Sequence, residues 1–534
     1  MNLIPFLILV AIVVFTCVLL NNFSSKVGIP VLLAFIVLGI LFGNIGVNAP
    51  EFDFANDICT MALIFIMFYG GFGTRWRSAK PVIVEAGLLA SLGVICTAGL
   101  TGLFVHFVLR WGWLESMLMG SVISSTDAAS VFSILRSRKL DLRNGTAPLL
   151  EVESGSNDPC SNMLTLIMLS LMQGTSSGAG SIIWMIFSQI VFGAGMGLLI
   201  AQAAVFMIRR INITTSGFDS MLVLAIAIFA YAIPAAIGGN GYLSTYIVGI
   251  ILGNYRFKDK RQLVNFFDGF TGLMQVLIFF MLGLLARPSM LAKVVLPAFV
   301  IFLAMTFILR PAVVFSILAP FRKYSARQCG FISFVGLRGA SSIVFAIVAT
   351  VGTTALQNDI FSTVFCIVLM SIAFQGSLIP FAAHKFDMID NYSDVMKTFN
   401  DCSDEEDIQF TEITITEESP WAEKLVRDLK LPKDMLFCSI INAEGRNHVP
   451  DGNTHIHVGD RIILCSKTFR SDKELHLVEH PLSRNSKWAG HPLKDYPRPA
   501  NQQLVLIRRG DETLIPNGDT VLEHGDILVI NKGE

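Results

Sequence analysis

Long apolar stretches constrain this chain more than any other feature. Stretches of about 20 mostly apolar residues recur from Leu3 to about Pro380, and each can cross a hydrocarbon core about 30 Å thick. A segment in lipid must satisfy its own backbone hydrogen bonds, so these stretches are expected to be helices. We predict about thirteen spans, near 3–20, 29–47, 56–73, 81–108, 115–136, 147–172, 181–208, 218–238, 242–255, 266–286, 291–320, 327–352 and 360–382. The fold class of this part is therefore an all-α polytopic membrane domain, and the residues after about 385 form a separate part of the chain.

The composition changes abruptly after the last span. Only 15% of the whole chain is charged, yet Asp401-Cys402-Ser403-Asp404-Glu405-Glu406-Asp407 is strongly acidic and ordinary soluble sequence follows it. We predict a membrane domain at 1–385, an acidic linker at 386–407, and two small domains at 408–470 and 476–534. A net charge of -1 argues against a nucleic-acid partner. The cysteines form no Cys-x-x-Cys pair, and no cofactor is predicted.

The loops between the spans predict the orientation. Cytoplasmic loops carry an excess of Lys and Arg. Basic residues are frequent on the side that the tail shares, including Arg136, Arg138, Lys139 and Arg143, whereas the other side has only Arg110, Arg287 and Lys293. The tail is therefore expected in the cytoplasm and the N-terminus outside. The first stretch lacks a basic flank and a cleavage site, so we interpret it as a retained span and not as a signal peptide.

The sixth span opens on an unusual polar run, Glu151-Val-Glu153-Ser-Gly-Ser-Asn157-Asp158-Pro159. A carboxylate inside the bilayer is costly and is a functional-site hypothesis by default. Asp158 beside Asn157 offers hard oxygen ligands suited to Na⁺, K⁺ or a proton. One carboxylate that accepts either a proton or a cation, but not both, is enough to couple two opposite fluxes.

Other spans carry residues that interrupt helices. The fifth contains Ser124-Ser-Thr126-Asp127 and the twelfth contains Gly336-Leu-Arg338-Gly-Ala-Ser-Ser342. Irregular backbone at membrane depth is tolerated around a cavity, and broken helices are how transporters build cation sites. Pro159 is expected to push Asp158 away from helical backbone. Arg338 needs a buried partner, for which Glu153 is the first choice and Glu151 the second.

Three of these motifs together resemble the NhaP-type cation:proton antiporters of the monovalent cation:proton antiporter superfamily. They are Thr126-Asp127, Glu153-Ser154-x-x-Asn157-Asp158 and Gly336-Leu337-Arg338-Gly339, in the order and spans expected of that family. The resemblance covers about residues 1–385. It implies an inverted-repeat fold with broken crossing helices, a homodimer, and elevator-type movement of a core domain against a dimerisation domain.

The resemblance also implies roles for individual residues. Asp158 would carry the cation or the proton, Asn157 would stabilise the helix beside it, and the exchange would be electroneutral. Further cation ligands would be Asp127, Ser154 and the backbone of Thr126, and Glu153 with Arg338 would form a structural ion pair. Relatives often have an acidic residue before the paired glycines of the third span, where this chain has Tyr69-Gly70-Gly71. That departure leaves the choice between K⁺ and Na⁺ open.

The tail contains an internal repeat. Val449–Leu464 and Ile515–Ile530 share Pro-x-Gly-x-Thr, then Gly-Asp, then an apolar strand. A further strand precedes each copy, at Met435–Asn442 and Gln503–Arg509, and a helix-like segment, Trp421–Leu429, precedes the first of these. This pattern is similar to the C-terminal lobe of the regulator-of-K⁺-conductance (RCK) modules, in two α+β copies. The resemblance implies dimerisation and a possible small ligand at the interface, such as cyclic di-AMP.

The leading interpretation is a K⁺/H⁺ antiporter of a bacterial cytoplasmic (inner) membrane, in contact with membrane lipid and regulated by its tail. A Na⁺/H⁺ antiporter is the alternative. A tail-gated K⁺ channel would need a selectivity filter such as Thr-Val-Gly-Tyr-Gly, which the sequence lacks. An enzyme is disfavoured because no nucleophile–base pair stands out.

Overall fold

The structure is a computed structural model, and its described residues form two compact units that divide after Asp404. The described residues are 15–16, 31–44, 51–137, 140, 142–174, 178–210, 217–255, 260–389, 408–417, 419–429, 431–432, 435–442, 447–467, 477–482, 488–495, 502–509, 512–514, 516 and 518–532. The first predicted span, at 3–20, lies almost wholly outside them. Most of the predicted linker, 390–407, does so as well.

The first unit is helical. Its helices are α1 (Val31–Asn44), α2 (Phe52–Gly73), α3 (Trp76–Leu109), α4 (Trp113–Val122), α5 (Ala128–Ser137), α6 (Thr146–Met172), α7 (Ala179–Arg210), α8 (Phe218–Ala236), α9 (Gly241–Gly253), α10 (Lys260–Leu285), α11 (Pro288–Leu318), α12 (Ala326–Phe334), α13 (Ala340–Gly352) and α14 (Ile360–Lys385). Among the described residues, seven helices are long and apolar enough to cross a membrane, and three shorter ones are apolar. Each predicted span from the second to the thirteenth overlaps at least one of the helices α1 to α14, and the fifth and twelfth overlap two each. The all-α membrane fold is confirmed.

Apolar side chains cover the outside of this unit as well as its core. On α7, Ile183, Trp184, Leu199 and Phe206 are largely exposed, which suits a helix that faces lipid. Because lipid removes the hydrophobic drive between helices, close packing must hold them together. At the α1–α10 contact a Cβ on Gly39 would lie 2.3 Å from the carbonyl oxygen of Phe280, so only glycine permits this approach.

Two of the predicted spans are interrupted where the sequence suggested. The backbone leaves helical geometry between α4 and α5, at 123–127, and between α12 and α13, at 335–339. The two breaks contact each other, because the Asp127 N–H donates to the Leu337 carbonyl at 2.8 Å. Each irregular segment therefore satisfies part of the other's backbone, as burial at membrane depth requires.

The expected break at Pro159 is absent. Helix α6 runs without interruption from Thr146 to Met172 with Pro159 inside it, so the prediction that Asp158 leaves helical backbone was wrong. Proline removes one intrahelical donor, yet the buried helix keeps its course. The Pro159 carbonyl accepts a hydrogen bond from the Asn240 side chain at 2.9 Å, which ties this part of α6 to the start of α9.

The second unit contains two antiparallel four-stranded sheets of the same plan. The first has the order β1 (Ile408–Thr414), β4 (Arg461–Lys467), β2 (Met435–Ile441) and β3 (Asn447–His448). The second has the order β5 (Leu477–Pro481), β8 (Ile527–Lys532), β6 (Gln502–Arg509) and β7 (Glu512–Leu514). β2 and β6 carry a register shift at corresponding places. The duplicated sequence therefore folds into duplicated structure.

The segment before β2 differs from the prediction. Trp421–Leu429 was expected to be helix-like, but it forms turns and one short 3₁₀ helix, Val426–Asp428. Trp421 packs against the small core that surrounds Ile440 and Ile462, so burial of the indole shapes this segment more than helix propensity does. The corresponding 3₁₀ helix of the second sheet is Leu493–Asp495. The first strand of each sheet, β1 and β5, was not predicted.

Candidate functional site

A cavity of about 430 Å³ lies in the helical unit beside the two breaks. Four carboxylates line it, from Asp127, Glu151, Asp158 and Asp268, together with the polar side chains of Thr126, Ser130, Ser154, Thr271, Gln275 and Ser341. None of the described residues that line it is Lys, Arg or His. A cavity with walls of one sign concentrates ions of the opposite sign, so this cavity favours cations.

Asp158 lies on the wall of this cavity, near the middle of α6. The residue is 8% exposed, and its Oδ1 has no hydrogen-bond partner among the described residues. A buried carboxylate oxygen without a donor is rare and costly. Asp158 therefore combines unused acceptor capacity with a place on the cavity wall.

The first break is fastened to α6 by its side chains. The Ser154 hydroxyl donates to the Thr126 carbonyl at 2.8 Å and accepts from the Ala128 N–H at 2.9 Å. The Asn157 side chain donates to the Thr126 hydroxyl at 2.6 Å. These contacts hold Thr126 next to α6 and bring Ser154, Asn157 and Thr126 together.

Asp127 has a defined structural position as the residue that caps α5. Its Oδ1 accepts from the Ser130 N–H at 3.1 Å, and its Oδ2 accepts from the Ser130 hydroxyl at 2.6 Å. An acidic side chain at this position satisfies free N–H groups and suits the positive end of the helix. Each carboxylate oxygen has two lone pairs, so Asp127 can cap the helix and still face the cavity.

The second break meets the first through serines and Arg338. The Ser125 hydroxyl lies 3.0 Å from that of Ser341 and 3.3 Å from that of Ser342. The Arg338 Nη1 donates to the Ser125 carbonyl at 2.6 Å, and the Arg338 N–H donates to the Ser371 hydroxyl at 3.0 Å. Arg338 thus supplies a donor to a backbone carbonyl of the first break.

The charges at the crossing follow the ends of the four half-helices. α4 and α12 end there and present carbonyl groups, whereas α5 and α13 begin there and present N–H groups. A helix carries partial negative charge at its C-terminal end and partial positive charge at its N-terminal end. The cation of Arg338 and the carboxylate of Asp127 each lie beside an end of opposite sign, which stabilises the break.

The buried salt bridge near the site differs from the prediction. Glu153 Oε1 lies 2.6 Å from Arg310 Nη2, with both side chains buried, so Glu153 pairs with Arg310 and not with Arg338. Arg310 sits inside α11. Its side chain passes Gly336, where a Cβ would lie 2.1 Å from Arg310 Nε. The first glycine of Gly336-Leu-Arg-Gly339 therefore makes room for this pair.

One further carboxylate of the cavity, on α10, was not predicted from the sequence. The carboxylate of Asp268 lines the cavity, where the Tyr69 hydroxyl donates to its Oδ1 at 3.4 Å. Tyr69 stands where relatives often have an acid, and here a carboxylate reaches its side from α10. The spacing of Asp268, Thr271 and Gln275 places them on one face of that helix. This row of polar residues is the sequence pattern from which the contribution of α10 to the cavity could have been predicted.

Glu151 also lines the cavity. It was the second choice as a partner for Arg338, and among the described residues it makes no salt bridge with that arginine. Its side chain instead lines the cavity that Asp158 also lines.

A buried carboxylate beside two interrupted, crossing helices is typical of secondary transporters of cations. The chain belongs to the family described as "Sodium/hydrogen exchanger, transmembrane", whose model matches residues 10–385. The tail matches the TrkA-C domain twice, at 410–468 and 477–530, which confirms the predicted pair of RCK C-terminal lobes. The protein is therefore a cation:proton antiporter and a transporter, not an enzyme.

Individual relatives agree with this assignment. The chain is 34% identical to the K(+)/H(+) antiporter NhaP of Alkalimonas amylolytica over 450 residues, which are 83% of this chain and 78% of the relative. It is 31% identical to the K(+)/H(+) antiporter NhaP2 of Shewanella baltica over 532 residues, which are 98% of this chain and 80% of the relative. The solved structure of the sodium proton antiporter MjNhaP1 from Methanocaldococcus jannaschii matches with a TM-score of 0.63 and 24% identity, over 72% of this chain and 99% of that one. This last similarity concerns the fold.

Proposed function

We propose that this protein exchanges K⁺ for H⁺ and that Asp158 carries both ions in turn. The observation that supports this most is the cavity, because Asp158 lines it together with three other carboxylates and no described basic residue, and one Asp158 oxygen has no hydrogen-bond partner among the described residues. K⁺ is preferred to Na⁺ because the relatives from Alkalimonas and Shewanella are named K(+)/H(+) antiporters.

Competition for one carboxylate provides the coupling. Ionised Asp158 attracts a cation, and protonated Asp158 has no charge with which to bind one. If the site changes sides only when it is occupied by one or the other, a cation moves one way for each proton that moves back. One carrier carboxylate beside the neutral Asn157 makes that exchange electroneutral.

Neighbouring oxygens would complete the cation site. Asp127 and Ser154 line the same cavity as Asp158, and the Thr126 carbonyl lies at the first break. Hard cations prefer such carboxylate, hydroxyl and carbonyl oxygens. The caps and hydrogen bonds that hold these groups in place reduce the reorganisation needed when an ion arrives.

The proposal extends to the wider protein. By its likeness to the family, the protein would work as a homodimer in a bacterial inner membrane and move its site by an elevator-type motion. The distribution of basic loop residues supports a cytoplasmic tail and an external N-terminus. The TrkA-C domains support regulation by a small ligand, for which cyclic di-AMP is the first compound to test.

Exchange in everted membrane vesicles tests the carrier assignment. With an imposed pH gradient, added cation should alkalinise vesicles that contain the wild-type protein, and Asp158→Asn should abolish that response. Asp53→Asn, an exposed carboxylate at the start of α2, is the matched control and should retain it. Persistent exchange by Asp158→Asn at a normal protein level would overturn the assignment.

The same vesicles decide the ion. Dose series with K⁺, Na⁺ and Li⁺ should give the lowest half-maximal concentration for K⁺. A lower value for Na⁺ would replace K⁺ by Na⁺ in the proposal and leave the role of Asp158 untouched.

A further inference from the structure

Three side chains with metal-binding atoms converge on the first sheet of the tail. The candidate ligand atoms of Glu423, His455 and His457 all lie within 4.8 Å of one another, and the three residues are exposed. Glu423 Oε2 is 3.6 Å from His455 Nδ1, and the two imidazole centroids are 4.8 Å apart. Two imidazoles and a carboxylate form a typical donor set for Zn²⁺ and related ions.

The backbone fixes this arrangement from both sides. Ile456 is fully buried in the core of the first sheet unit, so its neighbours His455 and His457 point away from that core on one face. The Glu423 N–H donates to the Ile456 carbonyl at 2.8 Å, and the Ile456 N–H donates to the Lys424 carbonyl at 3.0 Å. The three side chains therefore meet through the fold itself and not through chance contact of flexible loops.

Glu423 occupies a backbone conformation that glycine would adopt more easily. Its φ is +57°, in the left-handed region, where a Cβ is unfavourable. The second sheet unit has Gly490 at the corresponding place, with φ of +86° and the same hydrogen bond, from its N–H to the Leu522 carbonyl at 2.7 Å. The first sheet unit thus has a carboxylate at a position where the second sheet unit forms the same backbone conformation and hydrogen bond with glycine.

In the second sheet unit, which is built on β5 to β8, a cation occupies the position that corresponds to the cluster of Glu423, His455 and His457. There the Arg509 guanidinium donates to both carboxylate oxygens of Asp526 at 2.9 Å and to the Val521 carbonyl at 2.7 Å, and it also bonds Glu523. This guanidinium supplies the positive charge for a buried carboxylate and an exposed one.

The first sheet unit, which is built on β1 to β4, has the same arrangement without the arginine. Val521, Glu523 and Asp526 correspond to His455, His457 and Asp460, and Arg509 corresponds to the neutral Asn442. Asp460 is buried like Asp526, and its Oδ2 accepts from the His457 N–H at 2.8 Å and lies 3.8 Å from His457 Nδ1. Such a carboxylate can orient a metal-binding imidazole. A bound metal ion would supply the positive charge that the Arg509 guanidinium provides in the second sheet unit.

We propose that Glu423, His455 and His457 bind a divalent transition-metal ion, with Zn²⁺ the best fit. Ligand bonds near 2.0–2.2 Å place the donor atoms of a tetrahedral site about 3.4 Å apart. The exposed side chains reach that spacing by small rotations, and a water molecule completes the coordination. This site is separate from the transported ions and does not depend on the proposed exchange.

Cobalt substitution tests the site directly. The full-length protein, purified in detergent without a histidine tag, should bind one equivalent of Co²⁺ and show the intense visible absorption of tetrahedral cobalt, which added Zn²⁺ should remove. His455→Gln/His457→Gln should lose this signal. His480→Gln/His524→Gln, which changes two exposed histidines of the second sheet unit, is the matched control and should keep it.

Glu423→Gly separates binding from folding. Because glycine suits the left-handed position, this variant should be at least as resistant to unfolding as the wild type, and its affinity for Co²⁺ should fall about tenfold or more. Absence of the tetrahedral spectrum in the wild type, or its persistence in His455→Gln/His457→Gln, would overturn the proposal. An unchanged affinity of Glu423→Gly would also overturn it.

Discussion

The salt bridge between Glu153 and Arg310 makes a quantitative prediction about stability. Its Oε1–Nη2 distance is 2.6 Å, and the two side chains are 2% and 6% exposed. Removing one partner of such a pair leaves an uncompensated buried charge, which costs about 3–5 kcal/mol. Replacing both partners by uncharged residues of similar size is often close to neutral. Glu153→Gln and Arg310→Met should each destabilise strongly, and the double variant should cost much less than their sum.

A double-mutant cycle measures this coupling. The free energy of unfolding of the purified protein can be followed by tryptophan fluorescence as SDS is added to mixed micelles. We expect Glu153→Gln and Arg310→Met to couple by more than about 3 kcal/mol, because each single change leaves a buried charge unpaired and the double change leaves none. The matched cycle pairs Glu153→Gln with Arg338→Met and should show a clearly smaller coupling, because Arg338 donates to the Ser125 carbonyl.

Two results would refute this reasoning. Equal coupling in the two cycles would mean that Glu153 compensates Arg338 as much as Arg310. Additive effects of Glu153→Gln and Arg310→Met would mean that their short contact contributes nothing specific to the folded state.

Three further predictions concern transport and its control. Gly339→Ala should abolish exchange in vesicles, because the added Cβ would lie 2.1 Å from Asp127 Oδ2. Gly87→Ala is the control and should keep exchange, because its Cβ would meet nothing within 4 Å. Equal activity of the two variants would contradict the close crossing of the breaks. Asp268→Asn should raise the half-maximal cation concentration by up to about tenfold, because it removes one charge that attracts cations to the cavity; an unchanged dose curve would exclude that role. Deleting the residues after 400 should leave exchange intact and alter its dependence on pH or ligand, measured in the same vesicles, and loss of all exchange would show that the tail is needed for transport itself.

The architecture could be predicted from the sequence because it depends on local composition. A stretch of apolar residues long enough to cross lipid can only be a helix there, so the spans were visible one by one. Both interruptions were visible too, since Ser124-Ser-Thr-Asp127 and Gly336-Leu-Arg-Gly339 contain residues that compete with or weaken helical backbone. The duplication of the tail followed from direct comparison of its two halves.

Pairings between distant residues could not be predicted in the same way. The sequence showed that Arg338 and Glu153 are costly in the membrane, but Arg310 is the residue that reaches Glu153. Pro159 indicated a broken helix, yet α6 continues because a buried helix can lose one donor and keep its packing. Local signals report the cost of a group and not the neighbour that offsets it.

The sequence by itself determined the class of fold, the two interrupted helices and the identity of Asp158 as the candidate carrier, because each follows from the cost of placing certain residues in lipid. Only the tertiary structure decided which arginine compensates Glu153, that Asp268 faces the same cavity as Asp158, and that Glu423, His455 and His457 meet on the tail. These are contacts between segments far apart along the chain. Their geometry depends on how helices and strands pack, which no local pattern encodes.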